Sequence, residues 1–344
     1  MAKRMKSKIQ PAALKMHFIY QVTTAGKEAR HIDLSQCASL LNRRFYRQGL
    51  NWAVSSIKLT TEGVGGSVSI HKLPNTWVMS NAWEKSFRAW QKMVREATID
   101  TSVKPKFLDY KIYMNKDHHK VGFDANLMPH SAADLNNPIQ QATPGEWSSA
   151  KFIIPNTVAG ASGGILNLEA IAVGDSFPGP GATGLDAVSI IQGYANSRSL
   201  PNIQDPNVPD DSDNAGGNSP DNWLAAIDNE GTLQDQVILD DLITENTQAP
   251  YPFENGTDPS TGLPFGDTMY PGGANQLNTL EIHDQNYVTT TTVGGATHFS
   301  GGTFPCGLIE LSTFGFKPDD VLLWEITLVP GSHRGYLAES MTEM

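Results

Sequence analysis

Lysine and arginine residues are concentrated at the start of this chain, in a pattern suited to binding a polyanion. The first fifteen residues contain no acidic side chain and five cations, which are Lys3, Arg4, Lys6, Lys8 and Lys15. Such side chains bind phosphate groups by releasing condensed counterions, so this binding ignores base sequence and weakens with salt. We therefore predict that residues 1–15 form a short basic N-terminal arm that binds nucleic acid.

A second basic cluster interleaves cations with aromatic side chains, in the order Arg43-Arg44-Phe45-Tyr46-Arg47. Aromatic rings can stack on unpaired bases, and each such contact contributes about 1–3 kcal/mol. This spacing predicts Arg43, Arg44 and Arg47 as further nucleic-acid-binding cations. The alternatives are an intersubunit contact and a solvated turn with two rings in the core.

The charge of the chain is divided unevenly along its length. Residues 1–120 hold 21 of the 25 lysines and arginines and only 8 of the 36 aspartates and glutamates, although the net charge is −11. An acidic mean would ordinarily argue against a nucleic-acid partner, but it conceals this asymmetry. The pattern favours a protein with one cationic and one anionic side.

Acidic side chains between residues 210 and 214 are candidates for a metal site. Asp210, Asp211 and Asp213 could supply ligands to a structural Ca²⁺ that bridges subunits, but the twelve-residue loop with its terminal glutamate is not present. The stronger interpretation is a solvated acidic loop without a cofactor.

Sequence patterns of catalysis are incomplete. Ser162 lies in a Gly-rich stretch without the context of a protease nucleophile, and Ser176 follows Gly-Asp without a downstream partner. His118 and His119 are adjacent and lack a third metal ligand. We therefore expect a protein that is not an enzyme.

Composition favours a soluble protein made in the cytosol. Two cysteines, Cys37 and Cys306, provide no disulfide framework. The charged N-terminus is not followed by an apolar stretch of a signal peptide, and no run approaches the roughly 20 apolar residues that span a bilayer. We expect no membrane insertion.

Five stretches predict helices, and two of them, residues 223–227 and 233–243, are short pieces. Residues 80–97 place Trp83, Phe87 and Trp90 on one face, which is typical of a core-facing helix. A short helix is predicted within residues 32–41, capped by Asp33 or Ser35. Residues 185–198 are predicted to form another.

The remaining pattern is dominated by alternating, β-branched segments separated by turns. It predicts an all-β fold, an antiparallel jelly-roll sandwich of about eight core strands with a few helices and long loop insertions. A parallel sheet is not expected, because no βαβ rhythm is visible. We assign residues 16–344 to this domain, with surface insertions near 115–145 and 199–276.

Several stretches resemble capsid proteins of small circular Rep-encoding single-stranded DNA (CRESS-DNA) viruses. They are Trp147, Lys151-Phe-Ile-Ile-Pro155, residues 165–175, Ile190-Ile-Gln-Gly-Tyr-Ala-Asn-Ser-Arg198, Pro250-Tyr-Pro252 and Tyr270-Pro-Gly-Gly273. The resemblance covers about the middle half of the chain. Many of those proteins have a long Arg-rich arm, whereas the arm here is short and contains lysine.

This resemblance implies a capsid protein that self-assembles into an icosahedral shell, packages circular ssDNA and meets a host receptor. It also implies virion localisation after synthesis in the host cytoplasm, with the host nucleus as an alternative place of assembly. A β-sandwich carbohydrate-binding or adhesin-type module is the alternative function. That module would carry an aromatic or Ca²⁺ site and would not bind DNA.

Overall fold

A computed structural model describes residues 12–61, 65–98, 109–131, 140–156, 164–198, 223–224, 279–289 and 295–343 of the chain. The chain forms two compact units. The first comprises Met1–Asn75, Asp117–Ser148 and Leu280–Met344, and the second comprises Thr76–Lys116 and Ser149–Thr279. Among the described helices, none combines the length and the apolar character that crossing a membrane requires.

The strands, in chain order, are β1 (Lys15–Gln21), β2 (Glu28–Asp33), β3 (Leu50–Thr61), β4 (Gly66–Lys72), β5 (His130–Ser131), β6 (Gln140–Gln141), β7 (Lys151–Asn156), β8 (Gly164–Ile171), β9 (Ala187–Ser189), β10 (Glu281–Val288), β11 (Ala296–Phe299), β12 (Gly302–Phe304), β13 (Leu308–Phe314), β14 (Val321–Leu328), β15 (Pro330–Gly331), β16 (Gly335–Tyr336) and β17 (Ala338–Ser340). The helices are α1 (Leu34–Asn42), α2 (Trp77–Ala97), α3 (Lys116–Val121) and α4 (Ile190–Arg198).

Two antiparallel sheets form the body of the first unit. The first sheet has the order β1-β14-β3-β11, with β12 and β17 also paired to β3. The second sheet has the order β10-β4-β13-β2. Early and late strands pair in a nested way, β1 with β14, β2 with β13, β3 with β11 and β4 with β10. The chain therefore runs like one long hairpin, whose two arms alternate between the sheets.

Inward-facing side chains from both sheets share one hydrophobic core. Alternate residues of β1 and β14, among them Phe18 and Trp324, are buried, and Ile70 and Leu311 join them from the second sheet. The alternation arises because successive side chains of a strand point to opposite faces. Each such side chain contributes about 1.5–3 kcal/mol when fully removed from water. The prediction that antiparallel β-sheet dominates is confirmed for the described residues.

The second unit mixes helix and sheet. Helix α2 begins three residues before its predicted start, and its aromatic stripe packs as predicted, with Trp83 stacked on Phe87 and edge-on to Tyr110. Strand β7 pairs antiparallel with β8, but β8 pairs parallel with β9. The expectation that parallel pairing would be absent is therefore wrong at this pair.

The predicted helix over residues 185–198 is correct only from Ile190 onwards. Residues 187–189 form β9, and α4 begins at Ile190. The side chains of β9 are all buried, so a short apolar run with helical spacing is used here as a buried strand. Tertiary pairing with β8 decides between the two conformations.

Candidate nucleic-acid interface

The predicted cations fall in two groups. Lys3, Arg4, Lys6 and Lys8 lie outside the described residues, as do the metal candidates Asp210, Asp211 and Asp213. Lys15 begins β1, and its Nζ donates to Glu325 Oε1 at 2.7 Å on the exposed face of the first sheet. Arg43, Arg44 and Arg47 are all exposed in the loop that follows α1. Their role as nucleic-acid contacts stays a prediction.

Helix α1, which precedes this loop, begins at a buried N-cap, Asp33. The Asp33 carboxylate accepts hydrogen bonds from the backbone N–H groups of Ser35 and Gln36 at 2.8 and 3.2 Å, which confirms Asp33 as the cap. It also accepts from Gln48 Nε2 and Trp147 Nε1, both at 3.0 Å. Burial raises the pKa of Asp33 to about 6, and these donors act against that rise.

The two aromatic residues of the basic cluster point into the first unit. Tyr46 is fully buried, in edge contact with Tyr336, and its hydroxyl donates to the Arg334 carbonyl at 3.1 Å. Phe45 lies against Trp147, with ring centroids 6.2 Å apart. Base stacking on Tyr46 is excluded by its burial, so the interpretation of this ring as a core side chain is correct.

Folding adds Arg334 to the cluster. Its Cζ lies 6.0 Å from the Tyr46 ring centroid, and its Nη1 donates to the Phe45 carbonyl. The side chain is exposed, so its remaining N–H groups face solvent. Arg334 lies in the turn between β15 and β16, almost 290 residues from its partners, and no local pattern could have revealed it. We call Arg43, Arg44, Arg47 and Arg334 the arginine cluster.

The chain enters β1 beside the arginine cluster. The Ala13 N–H donates to Asn42 Oδ1 at 3.0 Å, and the Tyr336 hydroxyl donates to the Ala13 carbonyl at 2.7 Å. Asn42 is the last residue of α1 and immediately precedes Arg43. Arg44 is close enough to lower the pKa of Tyr336, which burial nevertheless raises to about 12. The predicted arm therefore joins the unit next to the second predicted cluster.

Two arginines of the cluster adopt left-handed backbone conformations. Arg43 ends α1 at φ 51° and ψ 40°, and Arg334 has φ 49°. A non-glycine residue costs about 1–2 kcal/mol there. Glycine is the usual residue at a left-handed helix end, so arginine at position 43 is a locally unfavourable choice. Strain of this kind concentrates at functional sites.

The early cations are divided between the two units. Lys58 lies on the exposed row of the first sheet opposite Glu325, whereas Arg88, Lys92 and Arg95 lie on α2 in the second unit. The expected division into one cationic and one anionic side stays a prediction. The arginine cluster is a local feature of the first unit.

The remaining chemical candidates have structural roles where they are described. Ser176 Oγ accepts from the Ser189 N–H at 3.0 Å, and Ser162 lies outside the described residues. Cys37 and Cys306 are buried thiols whose pKa burial raises. Three or more metal-ligating side chains do not converge anywhere in the described ranges.

No protein-family model matches the chain, and neither a curated protein nor a solved structure matches it significantly.

Proposed function

We propose that the chain is a viral capsid protein that self-assembles into an icosahedral shell and packages circular ssDNA through electrostatic contacts independent of sequence. The observation that carries this proposal is the strand order of the first unit. It is supported by the arginine cluster beside the point where the predicted arm joins β1.

Strand order favours a jelly roll. Counting β1, β2, β3, β4, β10, β11, β13 and β14 as strands one to eight, the sheets have the orders 1-8-3-6 and 2-7-4-5. This is the order produced when one long hairpin, with strands 1 to 4 in one arm and 5 to 8 in the other, is rolled into two sheets. Jelly rolls of this kind occur in viral capsids, lectin domains and cupins, so the fold alone does not decide among them.

The arginine cluster favours a phosphate partner among these functions. Its four guanidinium groups can each donate to phosphate oxygens in a fixed geometry. Of the described carboxylates, Asp33 is buried as a cap and Glu325 pairs with Lys15 on the first sheet. The absence of base-stacking by Tyr46 suits binding that reads the backbone and ignores sequence.

Assembly and DNA binding test the proposal separately. Size exclusion and negative-stain microscopy should show large closed particles, and recovery of monomers or dimers alone under many assembly conditions would contradict the capsid function. Fluorescence anisotropy with a mixed-sequence single-stranded oligonucleotide should show affinity that falls with salt, by about 0.7 log units per log unit for each phosphate neutralised.

A matched pair of triple variants assigns the binding surface. Replacing Arg43, Arg44 and Arg47 by alanine should lower affinity and reduce the salt slope by up to about 2. The control replaces Arg88, Lys92 and Arg95 on α2, removes the same charge and should leave the slope unchanged. Equal losses in both variants would indicate binding by net charge alone.

A carbohydrate-binding function is the second candidate, because two aromatic residues are exposed on the second sheet. Phe314 and Tyr287 both lie opposite Ser67 and are 60% and 73% exposed. Such rings can stack on sugars. Glycan binding that is lost in Tyr287→Ala, together with absent ssDNA binding, would favour this candidate over the capsid.

A further inference from the structure

Two histidines flank a buried carboxylate on the second sheet. Glu310 of β13 is the register partner of both His31 in β2 and His71 in β4. His31 Nε2 lies 3.2 Å from Glu310 Oε2, and His71 Nδ1 lies 2.9 Å from Glu310 Oε1. The Glu310 side chain is only 6% exposed, so both contacts with the imidazoles are largely shielded from water. Because all three lie in one cross-strand row, they form a single electrostatic group.

The segment of residues 117–128 packs against this row through His118. The His118 ring stacks on His31 with centroids 4.5 Å apart and planes 8° from parallel. Its Nε2 lies 2.9 Å from Asn126 Oδ1, and Asn126 Nδ2 donates to Gln36 Oε1 at 3.0 Å. The Leu127 N–H donates to the His31 carbonyl at 2.8 Å. The segment is thus held on the sheet by contacts that converge on one imidazole pair.

The surroundings of His118 oppose a positive charge. Burial lowers the pKa of His118 well below its ordinary value, and the neighbouring His31 and His119 act in the same direction. Its hydrogen bond with Asn126 and the charge of Glu310 act against that lowering without overcoming it.

Groups of two other elements, β4 and α1, contact the partners of His118. From β4, His71 Nδ1 contacts the Glu310 carboxylate, so the negative charge of Glu310 interacts with this imidazole as well. From α1, Gln36 Oε1 accepts from Asn126 and Cys37 Sγ lies 3.9 Å from the Leu127 carbonyl oxygen, and burial raises the pKa of this thiol. A proton on His118 would therefore add a buried cation beside two further imidazoles.

We propose that residues 117–128 form a pH-operated latch, which is closed over the second sheet at neutral pH and opens when His118 takes up a proton. The latch is independent of the proposed capsid function, since it depends only on contacts within the first unit. Histidine is suited to this role because its ordinary pKa lies just below neutrality.

The direction of the pH dependence follows from the two states. In the open state His118 titrates near its ordinary pKa of 6.5, whereas in the closed state it binds a proton only at much lower pH. The closed state is therefore fully favoured above this pH and loses its advantage as pH falls below it. One proton per opening event makes the opening equilibrium rise by up to about tenfold per pH unit.

Hydrogen exchange of the full chain tests the latch. The amides of Leu127 and Gly122 donate within the segment or to the sheet, at 2.8 Å each, and report its opening. After correction for intrinsic exchange, their opening equilibrium should rise by up to about tenfold per unit between about pH 6.5 and 5. In His118→Gln, which keeps an amide donor toward Asn126 and cannot be charged, this rise should disappear. The matched control His298→Gln alters an exposed histidine of β11 and should retain it.

Two results of the exchange experiment would overturn the latch. One is a wild-type opening equilibrium that does not change over this pH range, and the other is an equal pH slope in His118→Gln and wild type. NMR of the His118 ring in the wild-type chain provides a readout that needs no variant to fold. Its ring should remain neutral while the Leu127 amide is protected, and titration near pH 6.5 with that amide still protected would also refute the proposal.

Discussion

Replacing Arg43 by glycine should strengthen the fold and weaken DNA binding in one step. Arg43 closes α1 in the left-handed conformation, at φ 51°, and its N–H donates to the Ser39 carbonyl. Glycine retains that hydrogen bond and removes the backbone cost, so the free energy of unfolding should rise by about 1 kcal/mol. The lost guanidinium should reduce the salt slope of ssDNA binding by about 0.7.

The two effects are measured on the same protein samples. Urea denaturation gives the free energy of unfolding, and oligonucleotide anisotropy between about 50 and 200 mM salt gives the slope. Arg43→Lys is the matched control, since it keeps both the charge and the left-handed strain. It should match wild type in stability and closely in slope.

A rise in the free energy of unfolding together with weaker ssDNA binding distinguishes this prediction from a general loss of folding, which would lower both. A glycine variant that binds ssDNA with unchanged affinity and slope would remove Arg43 from the interface. A glycine variant that is less stable than wild type would refute the argument that the arginine is held at a backbone cost.

Two further predictions concern the elements that support the cluster. Trp147→Phe removes the indole donor to Asp33 and should cost about 1.5–3 kcal/mol at about pH 7.5 by urea denaturation. Because the folded pKa of Asp33, about 6, exceeds its unfolded value of 3.8, this carboxyl favours the fold most at low pH and less as pH rises to about 6. The loss in Trp147→Phe should therefore shrink at about pH 5, where Asp33 is largely protonated, and an equal loss at both pH values would contradict the charged acceptor. Gly307→Ala should destabilise by more than about 2 kcal/mol, because its Cβ would lie 2.8 Å from Trp52 Cδ1 at φ +69°, whereas Gly179→Ala, at φ +98° with open space, should cost only about 1 kcal/mol. Equal losses of unfolding free energy in Gly307→Ala and Gly179→Ala would show that backbone strain alone matters at Gly307.

Local patterns in the sequence determined the elements that depend on near neighbours. Helix α2 was predictable because its apolar residues recur at helical spacing, and Asp33 was identifiable as a cap because it precedes an apolar helical run. Strand alternation likewise indicated antiparallel sheets with one buried face. Such signals depend on contacts only a few residues apart, so the chain order is sufficient to read them.

Only the tertiary structure decided which distant residues meet. The arginine cluster required Arg334 to fold back onto Phe45, and the buried histidine row required Glu310 to pair with His31, 279 residues earlier. Tyr46 is an aromatic residue of the kind that stacks on bases, yet it packs against Tyr336 and is buried. A strand pattern specifies which face of a strand is buried, but it leaves the partner strand and the register open. The sequence by itself therefore determined the charge and the kinds of elements, while the nested pairing of early with late strands decided which side chains form a site.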